Sequence, residues 1–253
     1  MFPDLAADAL LLVAAFMLGL VPTFLFVATG GVGLITTPGL IHLGLSPQTA
    51  IATDLFAMLG GRLGGLAGFR KAGAIDMQLA LRLSVVCAVG SVIGAQLLLA
   101  LDEQLIRHGL SVVLLLLLVF LFLKPDAGLV TGEAGPLRRA MGYLLMFIVG
   151  IWGTLIGAGV ISLGSAVLLF IFRKRFIETA ALLTLVGLAI GLVGMVMFGS
   201  YGVIDWPLGL ALLAGKSVGG YFGSLRAIRV GDKWIRWLFA VVVLLSAISL
   251  NLT

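Results

Sequence analysis

Apolar segments long enough to cross a lipid bilayer recur from one end of this chain to the other, and that recurrence narrows the possible folds. They lie at about 8 to 28, 33 to 44, 48 to 69, 77 to 101, 107 to 123, 139 to 157, 160 to 172, 177 to 199, 206 to 227 and 234 to 251. Hydrocarbon offers no water to backbone N–H and C=O groups, so each segment has to be a helix. A spanning helix takes roughly 17 to 25 residues, and the segments 33 to 44 and 160 to 172 fall short of that. Only 11% of the residues are charged and 61% are hydrophobic, whereas soluble domains carry about 25% charged residues. A single cleaved signal peptide does not explain apolar runs over the whole length.

The net charge of +5 is read by loop position, because membrane proteins use basic loops for orientation, and it does not imply nucleic acid. The lone cysteine, Cys87, makes no internal disulfide, and His42 and His108 lie far apart, so neither a metal site nor a cofactor is expected.

A shift of 129 residues overlays the two halves: Ala74-Ile75-Asp76 falls on Val203-Ile204-Asp205, and Gly90-x-x-x-Gly94 on Gly219-x-x-x-Gly223. The same shift pairs Ile106-Arg107 with Ile235-Arg236 and Val112-Val113 with Val241-Val242. This is the mark of an internal duplication. The basic residues do not follow it: Arg70-Lys71 falls on Gly199-Ser200, Arg173-Lys174-Arg175 on Gly44-Leu45-Ser46, and Lys233 on Gln104. With basic loops cytoplasmic, residues 70, 71, 124, 138, 139, 173, 174, 175, 226, 229 and 233 face inward, eleven of the sixteen Lys and Arg. Asp4, Asp8, Asp102, Glu103 and Asp205 then face outward with both termini, and the halves enter the membrane in opposite senses.

The expected fold is an all-α polytopic membrane protein of two inverted repeats, each a broken re-entrant helical hairpin plus three transmembrane helices. The first repeat covers 1–124, with its hairpin at 8–44 and helices 48–69, 77–101 and 107–123. A cytoplasmic linker at 125–138 leads to the second repeat, 139–253, with its hairpin at 139–172 and helices 177–199, 206–227 and 234–251.

The hairpin tips read Thr29-Gly30-Gly31-Val32-Gly33 and Gly153-Thr154-Leu155-Ile156-Gly157-Ala158-Gly159. Each precedes a short helix, whose free N–H groups carry roughly half a positive charge. Two such ends meeting near the midplane would cradle an anion, with Thr29, Gly30, Gly31, Gly33, Thr154, Gly157, Ala158 and Gly159 as its contacts. The bland reading of these small residues, as of Gly60-x-x-x-Gly64, is close helix packing.

Lys216 lies ten residues past Trp206, roughly 15 Å into the membrane at 1.5 Å per residue. A charge there costs on the order of 3 kcal/mol unless partnered or wetted, and a bound anion is its simplest compensation; the alternative is a stem that snorkels to an interface. Its counterpart under the duplication is Cys87, placed opposite it in the site. Asp54 and Arg62, two turns apart on one helix, share a face with Thr53 beside them. These three are candidates for coupling or gating, Asp54 as a proton relay or as the partner of Lys216. Arg62 and Arg82 are near enough to helix ends to snorkel.

The run Gly215-Lys216-Ser217-Val218-Gly219 matches a serine-hydrolase nucleophile motif, leaving an intramembrane hydrolase using Ser217 as the competing class. Neither histidine lies at its depth to serve as base. A non-transporting membrane scaffold is the third possibility.

The glycine-rich tip followed by Pro38, the Ala50-Ile51-Ala52-Thr53 stretch and the loop ending Gly73-Ala74-Ile75-Asp76 together resemble the TauE/SafE sulfite exporter family. The second tip departs from the pattern, with Gly164-Ser165 where a proline would follow. The resemblance implies a transporter, and not an enzyme, of a small organic or inorganic sulfur anion in the bacterial inner membrane. The expected partners are that anion and the lipid bilayer, with a homodimer as the candidate assembly. With the cytoplasm negative, each negative charge leaving gains about 2.3 kcal/mol per 100 mV, so export needs no coupled ion.

Overall fold

The computed structural model describes residues 5–27, 32–69, 76–102, 135–156, 160–174 and 176–227. Eight helices run through them: α1 Leu5–Phe26, α2 Val32–His42, α3 Pro47–Phe69, α4 Met77–Ala100, α5 Pro136–Ile156, α6 Val160–Ala166, α7 Phe176–Ser200 and α8 Trp206–Ala227. The turn Val167–Ile171 extends α6 as π-helix. Among the described residues no strand occurs, as the hydrocarbon argument requires. The expected helices at 107–123 and 234–251 and the tip residues Thr29, Gly30, Gly31, Gly157, Ala158 and Gly159 lie outside the described residues.

Four of these helices, α1, α4, α5 and α7, are long and apolar enough to cross a membrane. They leave large side chains such as Leu10, Val13, Leu81, Val85, Val89, Leu144 and Val196 exposed, which is the surface that lipid covers. Length and apolar character make the chain a multi-pass membrane protein. The shared core is built from Ile51, Leu55 and Leu59 of α3, Leu83 and Leu98 of α4, Met146 of α5 and Leu183, Val186 and Ile190 of α7.

Both aspartates of the sequence overlay do the same job. Asp76 accepts the Leu79 N–H at 3.0 Å at the start of α4, and Asp205 accepts the Leu208 N–H at 3.0 Å at the start of α8. Each satisfies one of the free donors of a helix N-terminus. The Leu79 N–H, with Lys174 adding to it, holds the Asp76 carboxyl below the usual carboxylate range. Position 44 and its counterpart 173 are likewise matched. Gly44 has φ +100° and Arg173 φ +53°, and each ends a helix in the left-handed conformation, at higher cost for arginine.

Glycine contacts reveal how the helices run. A Cβ on Gly60 would meet Leu213, and one on Gly64 would meet Ser217 and Tyr221, so α3 and α8 are parallel. Gly215 abuts Phe16 and Gly223 abuts Phe24, which makes α1 parallel to α8; Gly90 abuts Phe147 and Gly94 abuts Ile151, which makes α4 parallel to α5. Gly187 instead meets Arg62 and Gly194 meets Leu55, so α7 runs antiparallel to α3. The major pairings are α1 with α8, α3 with α8, α4 with α5, α4 with α7, and α3 with α7. Exchanging residues by the 129-residue shift turns α1 into α5, α3 into α7 and α4 into α8, and maps this set of pairings onto itself.

The same directions sort the charges. Lys174 bonds Asp76 at 3.4 Å and Arg138 donates to the Phe170 carbonyl at 3.0 Å, which gathers the starts of α4, α5 and α7 at one end of the bundle. Arg226, over the Phe24 ring at 5.2 Å, joins them. At the other end Gln48 donates to the carbonyls of Leu98 and Leu101, and the Asp205 N–H donates to Thr53 Oγ1 at 3.0 Å. Asp102 and Asp205 belong to that end, while every described Lys and Arg except Arg62 and Lys216 belongs to the first.

Candidate functional site

Two of the residues set apart in the sequence meet directly. Lys216 Nζ on α8 donates to Asp54 Oδ1 on α3 at 2.7 Å, with both side chains about 3% exposed. Close approach of the two helices makes the contact possible: a Cβ on Gly220 would overlap Gly61 O, and one on Gly61 would lie 3.5 Å from Lys216 Cβ. The lysine charge is therefore compensated from within the protein, and a bound anion is not needed to offset it; this corrects the simplest expectation for Lys216. Neither side chain snorkels.

Arg62 follows two turns after Asp54 on the same face of α3. It is only 8% exposed, so snorkelling is ruled out for it as well, while Arg82 is exposed near the basic end. The guanidinium has its Nη2 at 3.8 Å from Met58 Sδ, a weak acceptor. Among the described residues its Nε has no hydrogen-bond partner and no carboxylate lies within ion-pair distance of it. Gly187 of α7 makes room for it, since a Cβ there would overlap Arg62 Nε.

These groups surround a cavity of about 50 Å³, lined by Asp54, Met58, Gly61 and Arg62 of α3, Thr23 and Val27 at the end of α1, Lys216 of α8, Val32 and Gly33 at the start of α2, and Val160 and Ile161 at the start of α6. A water needs at least about 10 Å³ of such space, so a few waters or one compact ion of several atoms fit. The two short helices, α2 and α6, begin on the same cavity. Thr23, buried to 3% exposure, has a hydroxyl without a partner among the described residues. Counting Asp54, Lys216 and Arg62, the described lining holds one positive charge in excess, together with two polar side chains, Arg62 and Thr23, that have an unsatisfied atom among the described residues. Such a lining is suited to an anion with several acceptor oxygens.

Other candidates lie elsewhere. Cys87 is fully buried between α4 and α5, donating to the Met146 carbonyl at 3.1 Å, and does not line the cavity. Thr154 donates to Gly150 O one turn back in α5. Thr53 spends its hydroxyl on the start of α8. Ser217 donates to Leu213 O at 2.8 Å and packs at Gly60, while His42 caps the far end of α2, its Nδ1 2.8 Å from Pro38 O. Sequence reasoning missed Thr23, Met58, Gly61 and Gly187. Pro22-Thr23 inside an apolar helix was the available signal, since proline breaks the backbone ladder.

The known proteins this chain is similar to carry the names of membrane transporters. The chain is 25% identical over 251 residues to "Probable membrane transporter protein ORF9" of Sinorhizobium sp, covering 96% of this chain and 91% of that one. It is 26% identical over 246 residues to "Probable membrane transporter protein YfcA" of Escherichia coli (strain K12), with 94% and 88% covered. "Probable membrane transporter protein YjnA" of Bacillus subtilis (strain 168) is 28% identical over 241 residues, with 87% and 91% covered. No solved structure matches the chain. The family described as sulfite exporter TauE/SafE matches residues 15–250, nearly the whole bundle and every residue of the cavity, and the chain belongs to that family.

Proposed function

We propose that this protein is a secondary transporter of small sulfur-containing anions, such as sulfite or sulfonates, which it moves outward across a bacterial cytoplasmic membrane. The observation that carries the reading is Arg62, a buried guanidinium facing a cavity with no counter-charge of its own among the described residues. A charge left so costs several kcal/mol, and an anionic ligand removes that cost. The family description supports sulfite as the type of cargo, and the membrane potential supports export, since each anion that leaves is driven outward without a coupled ion.

The inner end in this reading is the basic one, by the tendency of Lys and Arg to stay cytoplasmic. Support for two inverted halves comes from α3 and α7, which correspond under the 129-residue shift yet run antiparallel. Cysteines placed at Ser46 and Ser200 are expected to label from outside and one at Lys174 from inside, each in a Cys87→Ser background. Labelling of Ser46 from the cytoplasm would overturn the orientation.

The site is tested by thermal shift on detergent-purified protein. Sulfite and methanesulfonate are expected to raise the melting temperature of the native chain, because a ligand that binds only the folded state stabilises it by mass action. In Arg62→Met the same concentrations are expected to give little shift, with affinity lower by about ten- to a hundredfold, the worth of a charge-assisted hydrogen-bond pair. An unaltered shift in Arg62→Met would move the site elsewhere.

A further inference from the structure

The charges around the cavity decide which anions it accepts. Asp54 and Lys216 neutralise each other at 2.7 Å, which leaves Arg62 as the surplus. Burying a net charge in a medium of low dielectric is strongly unfavourable, so the ligand that leaves the site neutral carries one negative charge. A dianion would leave one negative charge too many, and Asp54 is the only described carboxylate in the lining. Protonating that carboxylate removes the surplus and frees the Lys216 ammonium for the ligand. Both residues already line the cavity with Arg62, and the four-carbon stem of a lysine allows its ammonium to change partner by rotation.

Resting on the anion-site reading above, we propose that the cavity takes monoanions as they are and takes dianions only together with one proton, accepted by Asp54. The proton is delivered by a hydronium ion, replenished by the acid form of the buffer: one O–H bond of the hydronium breaks, leaving water, as the O–H bond on the Asp54 carboxyl forms. Lys216 remains an ammonium throughout. Site and ligand together are neutral in both cases, which is the condition that sets the stoichiometry.

Other titratable groups near α3 are few. From α8 Lys216 faces Asp54, with Asp205 at the outer end and Tyr221 and Arg226 toward the inner one; α2 brings His42 at the outer end; α7 brings Glu178 at the inner end; α5 brings Arg138, Arg139 and Tyr143 there; α4 brings Asp102 at the outer end, Asp76 and Arg82 at the inner one and Cys87 between them. The described lining contributed by α1 and α6, namely Thr23, Val27, Val160 and Ile161, holds no titratable group. Histidine is the group that titrates near neutral pH on its own, so His42 and His108 need a control.

Methanesulfonate keeps its single charge and sulfate its double charge between about pH 6 and 8, the range in which histidine alone is normally expected to respond, so any pH dependence belongs to the protein. Binding to the intact detergent-purified chain is measured by calorimetry at constant ionic strength, in buffers of different ionisation enthalpy. Methanesulfonate is expected to bind with the same Kd across the range and to take up no proton. Sulfate is expected to take up one proton and to weaken by up to about tenfold for each unit that the pH rises. The slope should persist in His42→Gln/His108→Gln and vanish in Asp54→Asn; if that variant does not fold, the proton count in the native chain decides alone. Sulfate that binds without a proton, sulfate that fails to bind even at the acid end, or a slope that disappears with the histidines overturns the inference while methanesulfonate binding keeps the anion site. If neither anion binds, the reading of the site falls first.

Discussion

Lys216→Met is expected to destabilise the protein by about 3–5 kcal/mol, the usual cost of removing one member of a buried ion pair. Methionine fills much of the lysine volume, so little of that cost comes from a cavity. It comes from Asp54, about 3% exposed, whose 2.7 Å partner is present only as long as Lys216 is, so that removing the lysine leaves a buried carboxyl group without its counter-charge. Adding Asp54→Leu is expected to restore most of the loss, because an ion pair replaced by apolar groups of similar size is often neutral or stabilising. The chain contains its own precedent: the counterparts of Asp54 and Lys216 under the 129-residue shift are Leu183 and Cys87, both buried and packed. Urea or thermal titration of the two single variants and the double variant in one detergent checks this. A Lys216→Met protein within about 1 kcal/mol of the native chain would show that the pair contributes nothing.

Gly219→Val and Gly90→Val are expected to be worse than ordinary overpacking, which costs about 1–3 kcal/mol. A side chain at either position runs into main chain: a Cβ on Gly219 would meet Leu20 O, and one on Gly90 would meet Phe147 O. A side chain in the way can change rotamer; a carbonyl of a neighbouring helix moves only if the helix does. The two variants should lose the monodisperse peak on size-exclusion chromatography to similar extents, since they are the same position of the duplicated sequence. Gly199→Ala provides the contrast, for its Cβ would sit 3.5 Å from the Trp206 ring, an ordinary contact. Equal behaviour of all three would mean that the close crossings are not what holds the bundle together.

The helices were legible because hydrocarbon leaves the backbone no other option, and most ends were set by local chemistry. The helix expected from 139 begins at Pro136, since proline is tolerated in a first turn and Arg138 and Arg139 can sit exposed at the basic end. The helix expected to reach 44 stops at His42, where Gly44 takes the left-handed conformation. The π-turn at Val167–Ile171 left no mark in the sequence. Asp54, Arg62 and Lys216 stood out as charges at depth, but their pairing did not follow from spacing. It depends on the rotation of α8 about its own axis, and that rotation is set by Gly60, Gly64 and Gly220 at the α3 crossing and by Gly215, Gly219 and Gly223 at the α1 crossing. Depth counted along α3 alone leaves Arg62 open both to a coupling role and to snorkelling, whereas Gly187 on the antiparallel α7 opens the space that keeps it inside.

The glycine crossings also divide the bundle mechanically. Between α8 and both α1 and α3 main chain rests on main chain, which resists sliding and ties the three helices together; α4 and α5 meet in the same manner. The contact of α3 with α7 is of another kind, with Leu55, Leu59 and the Arg62 guanidinium lying on Gly194, Gly191 and Gly187. Side chains on a smooth glycine track form a bearing surface, one that a rocking of one block against the other can use without breaking a crossing. The guanidinium sits in that bearing, so the residue that faces the cavity is also the one whose surroundings a rocking of the blocks would change.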